Sequence, residues 1–356
     1  MKVVVACGGT GGHAFPGIAV AEVLRKRGHE VTIWDSGRDI ESSVMKEWEG
    51  DIFSTGARQL RLVNAFHMIG SFMRCRRQLK KRPCDVLLAM GSYSSLTPVL
   101  AARSRSVPVV LHEANTVPGR AVDVLSRWAE KVAISFESTA EYLPGRKCVL
   151  TGLPVREGIA SGKRFDFIPQ GSFVVFVTGG SQGAHAVNEL ASRALVALKR
   201  ELDSCGAKRP LYVIHQTGAD DESAVMMAYA SAGVPARVKA FESEMPSAFA
   251  SADFVICRAG ASTCFELALC GKPAMMIPLP TALRNHQHFN AEVFARRKAA
   301  DEGSQGALSP HQLTRYLKSL YDNGSRLEAM SAAMRSLAVE DAASRVADVV
   351  EKAAAK

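Results

Sequence analysis

Two strings of glycine and small polar residues, each directly behind a run of apolar residues, set the tightest limit on how this chain can fold. Val3–Ala6 runs into Cys7-Gly8-Gly9-Thr10-Gly11-Gly12-His13-Ala14, and Phe173–Val177 runs toward Gly179-Gly180-Ser181-Gln182-Gly183-Ala184-His185. A strand, a glycine turn and a helix start, in that order, open a βαβ unit. The glycines let the backbone come close to an anion, and the first N–H groups of the helix face it. One such turn serves packing alone in many α/β proteins. Two at equivalent places predict two nucleotide-type domains with a phosphate-bearing ligand between them.

The rest of the pattern fits this. Short apolar runs alternate with longer amphipathic stretches, as in parallel sheets covered by helices. In the first half, strands are expected at Val3–Cys7, Glu30–Trp34, Asp85–Ala89, Val107–Leu111, Lys131–Ile134 and Lys147–Leu150. A helix is expected from about Pro16 to Arg27, stopped by Gly28. In the second half, strands are expected at Phe173–Val177, Leu211–His215, Arg237–Phe241, Asp253–Cys257 and Ala274–Ile277, and three helical stretches close the chain. Glycines and prolines between Arg156 and Gln170 mark a boundary. Residues 1–157 then form one domain and 158–339 the other, with a closing helix at about 340–356 packing back on the first. A chain of 356 residues is long enough for both cores. The expected fold class is α/β, with two doubly wound Rossmann-like domains facing across a cleft.

Composition removes several classes. The chain is 47% hydrophobic and 22% charged, which is globular rather than disordered. No segment reaches the ~20 apolar residues that cross a bilayer. The apolar run behind Met1-Lys2 stops at Cys7, too short for a secretory signal, so a cytoplasmic location is expected. Eight cysteines without a C-x-x-C pair read as buried thiols rather than as a disulfide scaffold or a metal site. The net charge of +9 is uneven: residues 1–155 carry 21 basic and 14 acidic side chains, so an anionic surface would meet the first half.

A third turn, Cys257-Arg258-Ala259-Gly260-Ala261-Ser262-Thr263-Cys264-Phe265-Glu266, repeats the strand, small-residue turn and helix. Ser262 and Thr263 are available as caps or phosphate donors. Glu266 in the first helical turn suits either the helix dipole or the two hydroxyls of a ribose, and beside two other turns the diol is favoured. A competing reading stays open. Gly9, Gly11 and Ala14 fit G-x-G-x-x-A, and Asp35 ends the second strand where a dinucleotide-binding acid would sit. That would make the chain a nicotinamide-dependent dehydrogenase, although His13 would crowd a pyrophosphate there.

In order along the chain, GGTGGHAFPGIAVA, MGSYSS, HEANTVPGR, LPVR, GGSQGA, CRAGASTCFE and NHQHFNA resemble the MurG family of GT-B-fold glycosyltransferases. These enzymes move N-acetylglucosamine from UDP-N-acetylglucosamine to lipid I, giving lipid II for peptidoglycan. The resemblance runs from Lys2 to about Ala299 and implies an inverting, metal-independent hexosyltransferase without a cofactor. It places Ser181, Gln182 and Arg156 on the diphosphate. Ala261, Ser262, Thr263, Cys264, Phe265 and Glu266 are placed on the nucleotide, with Glu266 on the ribose, and the backbone of Glu242 on the uracil. Gln287 would contact the sugar, with His286 beside it, and Thr10, Gly11, Gly12 and Asn115 would reach the donor from the first domain. His13, His112 and Glu113 would face the reacting centre. Between His13 and Glu113 as general base the sequence does not choose.

Three residues depart from the family pattern. Leu153 stands where Asn usually precedes Pro-Val-Arg, Ser92 replaces the second glycine of Gly-Gly-Tyr, and Glu242 replaces an apolar residue. Inverting transfer needs a base for the acceptor hydroxyl and stabilisation of the departing UDP. No Asp-x-Asp element is present to hold a metal on the diphosphate, so backbone N–H groups, a helix dipole and Arg156 are expected to meet the leaving charge.

The lipid acceptor calls for a membrane-facing surface. Leu62, Phe66, Ile69 and Met73 share one helical face, and Arg74, Arg76, Arg77, Lys80, Lys81 and Arg82 follow, six basic residues in nine. An apolar stripe with a basic flank suits an interfacial helix on anionic lipid, with Arg74, Arg77 and Lys81 beside the stripe. An amphipathic helix packed on its own sheet is the plainer explanation. The expected location is peripheral, at the cytoplasmic face of the cell membrane. Nucleic acid is a poor partner, since no aromatics interleave with the basic run. A UDP-sugar epimerase and a non-catalytic sugar-nucleotide sensor remain as alternatives.

Overall fold

The computed structural model of the chain describes residues 1–9, 11–37, 48–57 and 65–355. The chain divides into two compact units, Met1–Glu157 with Val339–Lys356, and Gly158–Ala338. Each is built on one parallel sheet.

The first unit contains β1 (Lys2–Ala6), β2 (Glu30–Asp35), β3 (Asp51–Ser54), β4 (Val86–Ala89), β5 (Val109–Glu113), β6 (Lys131–Ile134) and β7 (Cys148–Leu150). Their spatial order is β3-β2-β1-β4-β5-β6-β7, all parallel. The order reverses direction between β1 and β4, so the loops leaving these two strands open the crevice where doubly wound sheets bind ligands. β4 is buried on both faces, which is why it reads as an unbroken apolar run instead of an alternating one; β5 is buried along its length too, but ends in His112 and Glu113.

The helix behind β1 spans Gly11–Lys26 and starts five residues ahead of the expected Pro16. Proline suits a first helical turn, but here Gly11 and Gly12 begin the helix earlier and leave Pro16 inside it. Gly17 is required by space: a Cβ there would lie 2.3 Å from the Cβ of Cys7, so the helix sits directly on β1. The closing helix, Ala342–Ala354, buries Val346, Val349 and Val350 in the same core as Val3, Val5 and Leu24. Its polar side is tied down by Arg27 to Asp348 at 2.7 Å and by His29 to Glu351 at 2.8 Å.

The second unit contains β8 (Phe173–Thr178), β9 (Leu211–Gln216), β10 (Ala236–Lys239), β11 (Phe254–Cys257), β12 (Ala274–Met276) and β13 (Ala300–Glu302). The order β10-β9-β8-β11-β12-β13 repeats the winding of the first sheet, with its reversal between β8 and β11. Strand β10 ends at Lys239, two residues short of the expected Phe241, because Phe241 is exposed and Glu242 turns inward. Sequence reasoning missed β3 and β13. Both lie at sheet edges, and β13 is only three residues long, with Asp301 and Glu302 in it, so neither presents an apolar run to read.

Candidate active site

His13 lies in the first turn of the Gly11–Lys26 helix and is half-buried. Its Nδ1 is 3.0 Å from the carbonyl oxygen of Met90, the residue that follows β4. A carbonyl only accepts, so Nδ1 carries the proton and Nε2 is the basic nitrogen. A Cβ on Gly91 would lie 3.7 Å from the ring's Cε1, and one on Gly9 would lie 3.8 Å from its Cδ2. The ring is thus held between two glycines behind adjacent strands. Gly9 (φ +126°) also faces Ser92, whose Oγ would be 2.5 Å from a Cβ there. Ser92 itself adopts φ 68° and ψ 165°, a region that glycine occupies and other residues avoid at a cost of about 1–3 kcal/mol. The serine therefore keeps the backbone shape of the glycine it replaces. Leu153, the second departure, is buried and serves as a core side chain.

His112 and Glu113 end β5 and are both buried. His112 Nε2 is 3.4 Å from the Gly152 carbonyl and 3.5 Å from Ser135 Oγ. Burial lowers its pKa to about 4, so it is neutral. Glu113 accepts from the Asn115 N–H at 2.9 Å and side-chain amide at 3.3 Å on one oxygen, and from the Gly119 N–H at 2.9 Å on the other. Burial nonetheless raises its pKa. The carboxyl group thus staples the 113–119 loop and orients half-buried Asn115. Gly11 is the first residue of its helix and Gly12 is exposed, whereas Thr10 lies outside the described residues. Arg156 is half-buried, with its guanidinium 4.7 Å from the ring centre of Phe15.

In the second unit, Ser181 and Gln182 are exposed on the turn behind β8, which Gly183 closes by donating to the Gly180 carbonyl at 2.9 Å. A Cβ on Gly183 would come within 1.9 Å of the Thr217 carbonyl oxygen, so only glycine lets the turn lie against the end of β9. Glu242 is buried and turned toward Arg237, which it meets at 2.8 and 3.2 Å, and it also accepts from the Glu244 N–H at 3.0 Å. Burial opposes its charge, but these donors and Lys239 outweigh it and hold the carboxyl below its ordinary value. Arg237 in turn lies 4.9 Å from the ring of Phe165 and 5.5 Å from that of Phe167. This pocket explains how an acidic residue replaces an apolar one: the side chain points away from the loop surface into a cation.

The third turn leads into the helix Ala261–Cys270, preceded by extended Gly260. The N–H groups of Ala261, Ser262 and Thr263 have no intrahelical acceptor, the ordinary condition of a first turn. Ser262 and Thr263 are half-buried and Glu266 is buried near the helix start. Cys264 and Phe265 point inward, Phe265 against Phe294 at 6.4 Å, so a ligand could meet these two only through their backbone. Gln287 is half-buried and accepts from the Leu279 N–H at 2.9 Å, while His286 Nδ1 is 2.8 Å from the Leu283 carbonyl.

Sequence reasoning passed over Arg258, Gln216 and Phe15. Arg258, the first residue after β11, is buried within the third turn and donates to the Ile277 and Pro278 carbonyls, each at 3.1 Å. Gln216 lies one residue past the expected end of its strand. The signal for all three was position: each lies at or just beyond the carboxyl end of a strand leading into a turn, or in the first turns of the following helix. Among the described residues, no group of three or more His, Cys, Asp or Glu could hold a metal ion.

The helix Ala65–Lys81 carries the basic run. Phe66 is 87% exposed, Ile69 61% and Met73 39%, and Arg74, Arg77 and Lys81 are exposed beside them. Its inward face is Ser71, Cys75 and Leu79, with Ser71 hydrogen-bonded to Thr97 at 2.8 Å. The plainer explanation of the apolar stripe therefore fails, because a different face packs on the domain. Leu62 lies outside the described residues. No helix among the described residues is long and apolar enough to cross a membrane.

Residues 3–134 match the N-terminal domain of glycosyltransferase family 28, and residues 174–346 match its C-terminal domain. The chain belongs to glycosyltransferase family 28. Within that family it is 36% identical over 362 residues to the UDP-N-acetylglucosamine–N-acetylmuramyl-(pentapeptide) pyrophosphoryl-undecaprenol N-acetylglucosamine transferase of Geobacter metallireducens, covering 98% of this chain and 97% of that protein. The crystal structure of Acinetobacter baumannii MurG superposes with a TM-score of 0.80 at 30% identity, covering 99% of this chain and 100% of that one. The resemblance carried by the seven strings and the GT-B fold class both hold. The UDP-N-acetylglucosamine 2-epimerase of Neisseria meningitidis, bound to UDP-N-acetylglucosamine, has a TM-score of 0.72 at 14% identity, covering 99% and 100% of the two chains. That likeness is one of fold alone. Membership of family 28 also displaces the dehydrogenase that Asp35 kept open.

Proposed function

We infer that this protein transfers N-acetylglucosamine from UDP-N-acetylglucosamine to the C4 hydroxyl of the N-acetylmuramyl sugar of lipid I, forming lipid II. The observation that carries this is near-full-length identity to a transferase of that name, at 36%.

In this reading the second unit binds the donor and the first binds the acceptor and the membrane. His13 is the general base. Its Nδ1–H is committed to the Met90 carbonyl, which leaves Nε2 as the basic nitrogen that takes the acceptor proton. Glu113 is the loop anchor that sets Asn115, because both its oxygens are engaged by its own loop. His112, buried and neutral, holds the end of β5 against the Gly152 carbonyl. As the bond to the anomeric carbon breaks, negative charge moves onto UDP. The turn bearing Ser181 and Gln182, the open end of the Ala261–Cys270 helix and Arg156 meet that charge. Glu266 takes the ribose diol, the Glu242 backbone the uracil, and Gln287 the sugar hydroxyls. Phe66, Ile69 and Met73, flanked by Arg74, Arg77 and Lys81, rest on anionic lipid and keep the enzyme at the cytoplasmic membrane face.

The test is turnover of labelled UDP-N-acetylglucosamine with a soluble lipid I analogue, with UDP-N-acetylgalactosamine as the control donor. Transfer is expected from the first only. His13→Ala should lower kcat by about 10²–10⁴-fold, the ordinary contribution of a positioned base, while UDP binding stays within about twofold. Donor consumption without acceptor would favour the epimerase, and binding without turnover would favour the sensor.

A further inference from the structure

Gln216 is the last residue of β9, the strand between β8 and β10, and its side chain is buried. The two polar ends of its amide go in different directions. Nε2 donates to the Gly180 carbonyl at 2.8 Å, on the turn behind β8. Oε1 accepts from the Glu242 N–H at 3.2 Å, on the segment behind β10. One side chain thus bridges two loops that are 62 residues apart in sequence. Among the described residues, no other hydrogen bond joins the two loops directly: Gly183 to Gly180 is internal to the turn, and Glu242 to Arg237 is internal to its own segment. The residues next to Gln216 add contacts on both sides. Thr217 and Gly218 donate to the Lys239 and Ala240 carbonyls at 2.9 and 3.0 Å, while the Thr217 carbonyl packs against Gly183.

We propose that Gln216 is a positioning residue that fixes the spacing between the diphosphate turn and the uracil segment of the donor site. It rests on the proposed function, which puts the two ends of UDP on those two loops. Uridine needs only one loop and pyrophosphate only the other. UDP needs both at the correct separation, so its affinity contains a linkage term that neither fragment has. A bridge between the loops acts on that term. A buried amide that merely satisfied one loop would act on a single fragment.

The experiment compares wild type, Gln216→Met and Gln216→Glu by competition against a fluorescent UDP analogue, with UDP, uridine and inorganic pyrophosphate as competitors. Methionine removes both hydrogen bonds at similar volume. Glutamate keeps the acceptor for the Glu242 N–H and loses the donor to Gly180, so it also breaks the bridge. If methionine does not fold, glutamate carries the test. In both variants UDP should weaken by about tenfold or more, exceeding by about fivefold the product of the losses for uridine and pyrophosphate. KM for UDP-N-acetylglucosamine should rise in parallel, with KM for the acceptor within about twofold. If that product accounts for the whole UDP loss, or if UDP binding is unchanged, the bridge is overturned. A wild-type protein that neither binds UDP nor turns over its sugar nucleotide would instead overturn the functional reading, a result visible before any variant is made.

Discussion

The guanidinium of Arg156 lies over the ring of Phe15, 4.7 Å from its centre. Phe15 belongs to the helix behind the first glycine turn, and Arg156 to the segment that leads out of the first domain. The ring face attracts the cation and limits where the long side chain can swing. Arg156 is thereby held on the same helix that carries His13.

If Arg156 meets the donor diphosphate, loosening it should weaken the donor selectively. Phe15→Leu is expected to raise KM for UDP-N-acetylglucosamine about two- to fivefold, corresponding to the usual 0.5–1 kcal/mol of such a contact. Phe15→Tyr keeps a ring and should remain close to wild type. Steady-state kinetics with each substrate varied in turn distinguishes this from a general loss, which would also move KM for the acceptor.

Two buried histidines make the fold acid-sensitive. Burial lowers His112 to about 4 and His215 to about 3 from an ordinary 6.5, so the folded protein keeps both neutral. His215 contacts Tyr229 at 2.9 Å and Asn188 at 3.1 Å, and Asp221 only partly offsets its burial. Below about pH 6.5 the unfolded chain binds these protons and the folded chain does not, so stability is highest above that value and falls on acidification. Each residue contributes a slope of up to about 1.4 kcal/mol per pH unit. Urea unfolding from about pH 7 to about pH 5 should show the decline, and His215→Gln should make it shallower in the second unit. A flat profile over that interval would contradict the assignment.

Ser92 offers a stability test. Its backbone occupies a glycine region, and glycine costs unfolded-state entropy of about 0.5–1 kcal/mol where it is not needed. Relief of about 1–3 kcal/mol of strain outweighs this entropy, but Ser92→Gly also gives up the contacts to Ser94, so it should be about 1 kcal/mol more stable than Ser92→Ala. Ser92→Ala retains the Cβ and loses the contacts to Ser94 at 3.3 and 3.4 Å, so it should be no more stable than wild type. Chemical denaturation of the three proteins decides it.

The exposed stripe on Ala65–Lys81 predicts lipid binding separable from catalysis. Ile69→Glu and the pair Arg77→Glu, Lys81→Glu should each reduce co-sedimentation with anionic vesicles, by about fivefold or more for every basic residue lost. Turnover of a soluble acceptor analogue should stay unchanged, because Ile69, Arg77 and Lys81 are exposed. Equal binding to zwitterionic vesicles would assign the attraction to the apolar stripe alone.

Much of this molecule could be read from local pattern. The strand–glycine–helix units were legible because a central parallel strand is buried on both faces and is apolar throughout, and because its following turn has to be glycine. β1, β8 and β11 fell within one residue of expectation for that reason. The edge strands β3 and β13 were not legible, since an edge is half solvated and keeps charged residues. The Ala65–Lys81 helix shows the same limit in another form. Its apolar stripe was visible, but the core-facing Ser71, Cys75 and Leu79 formed no pattern that competed with it.

The order of residues alone determined two nucleotide-type units, the glycine turns and the family to which they belong, because those depend on spacing along the chain. Only the tertiary structure decided that Glu113 spends its carboxylate on its own loop, that Glu242 turns into Arg237, and that Gln216 joins two distant turns. A hydrogen bond has a direction and a length, and neither exists until the loops behind the strands take their folded shape.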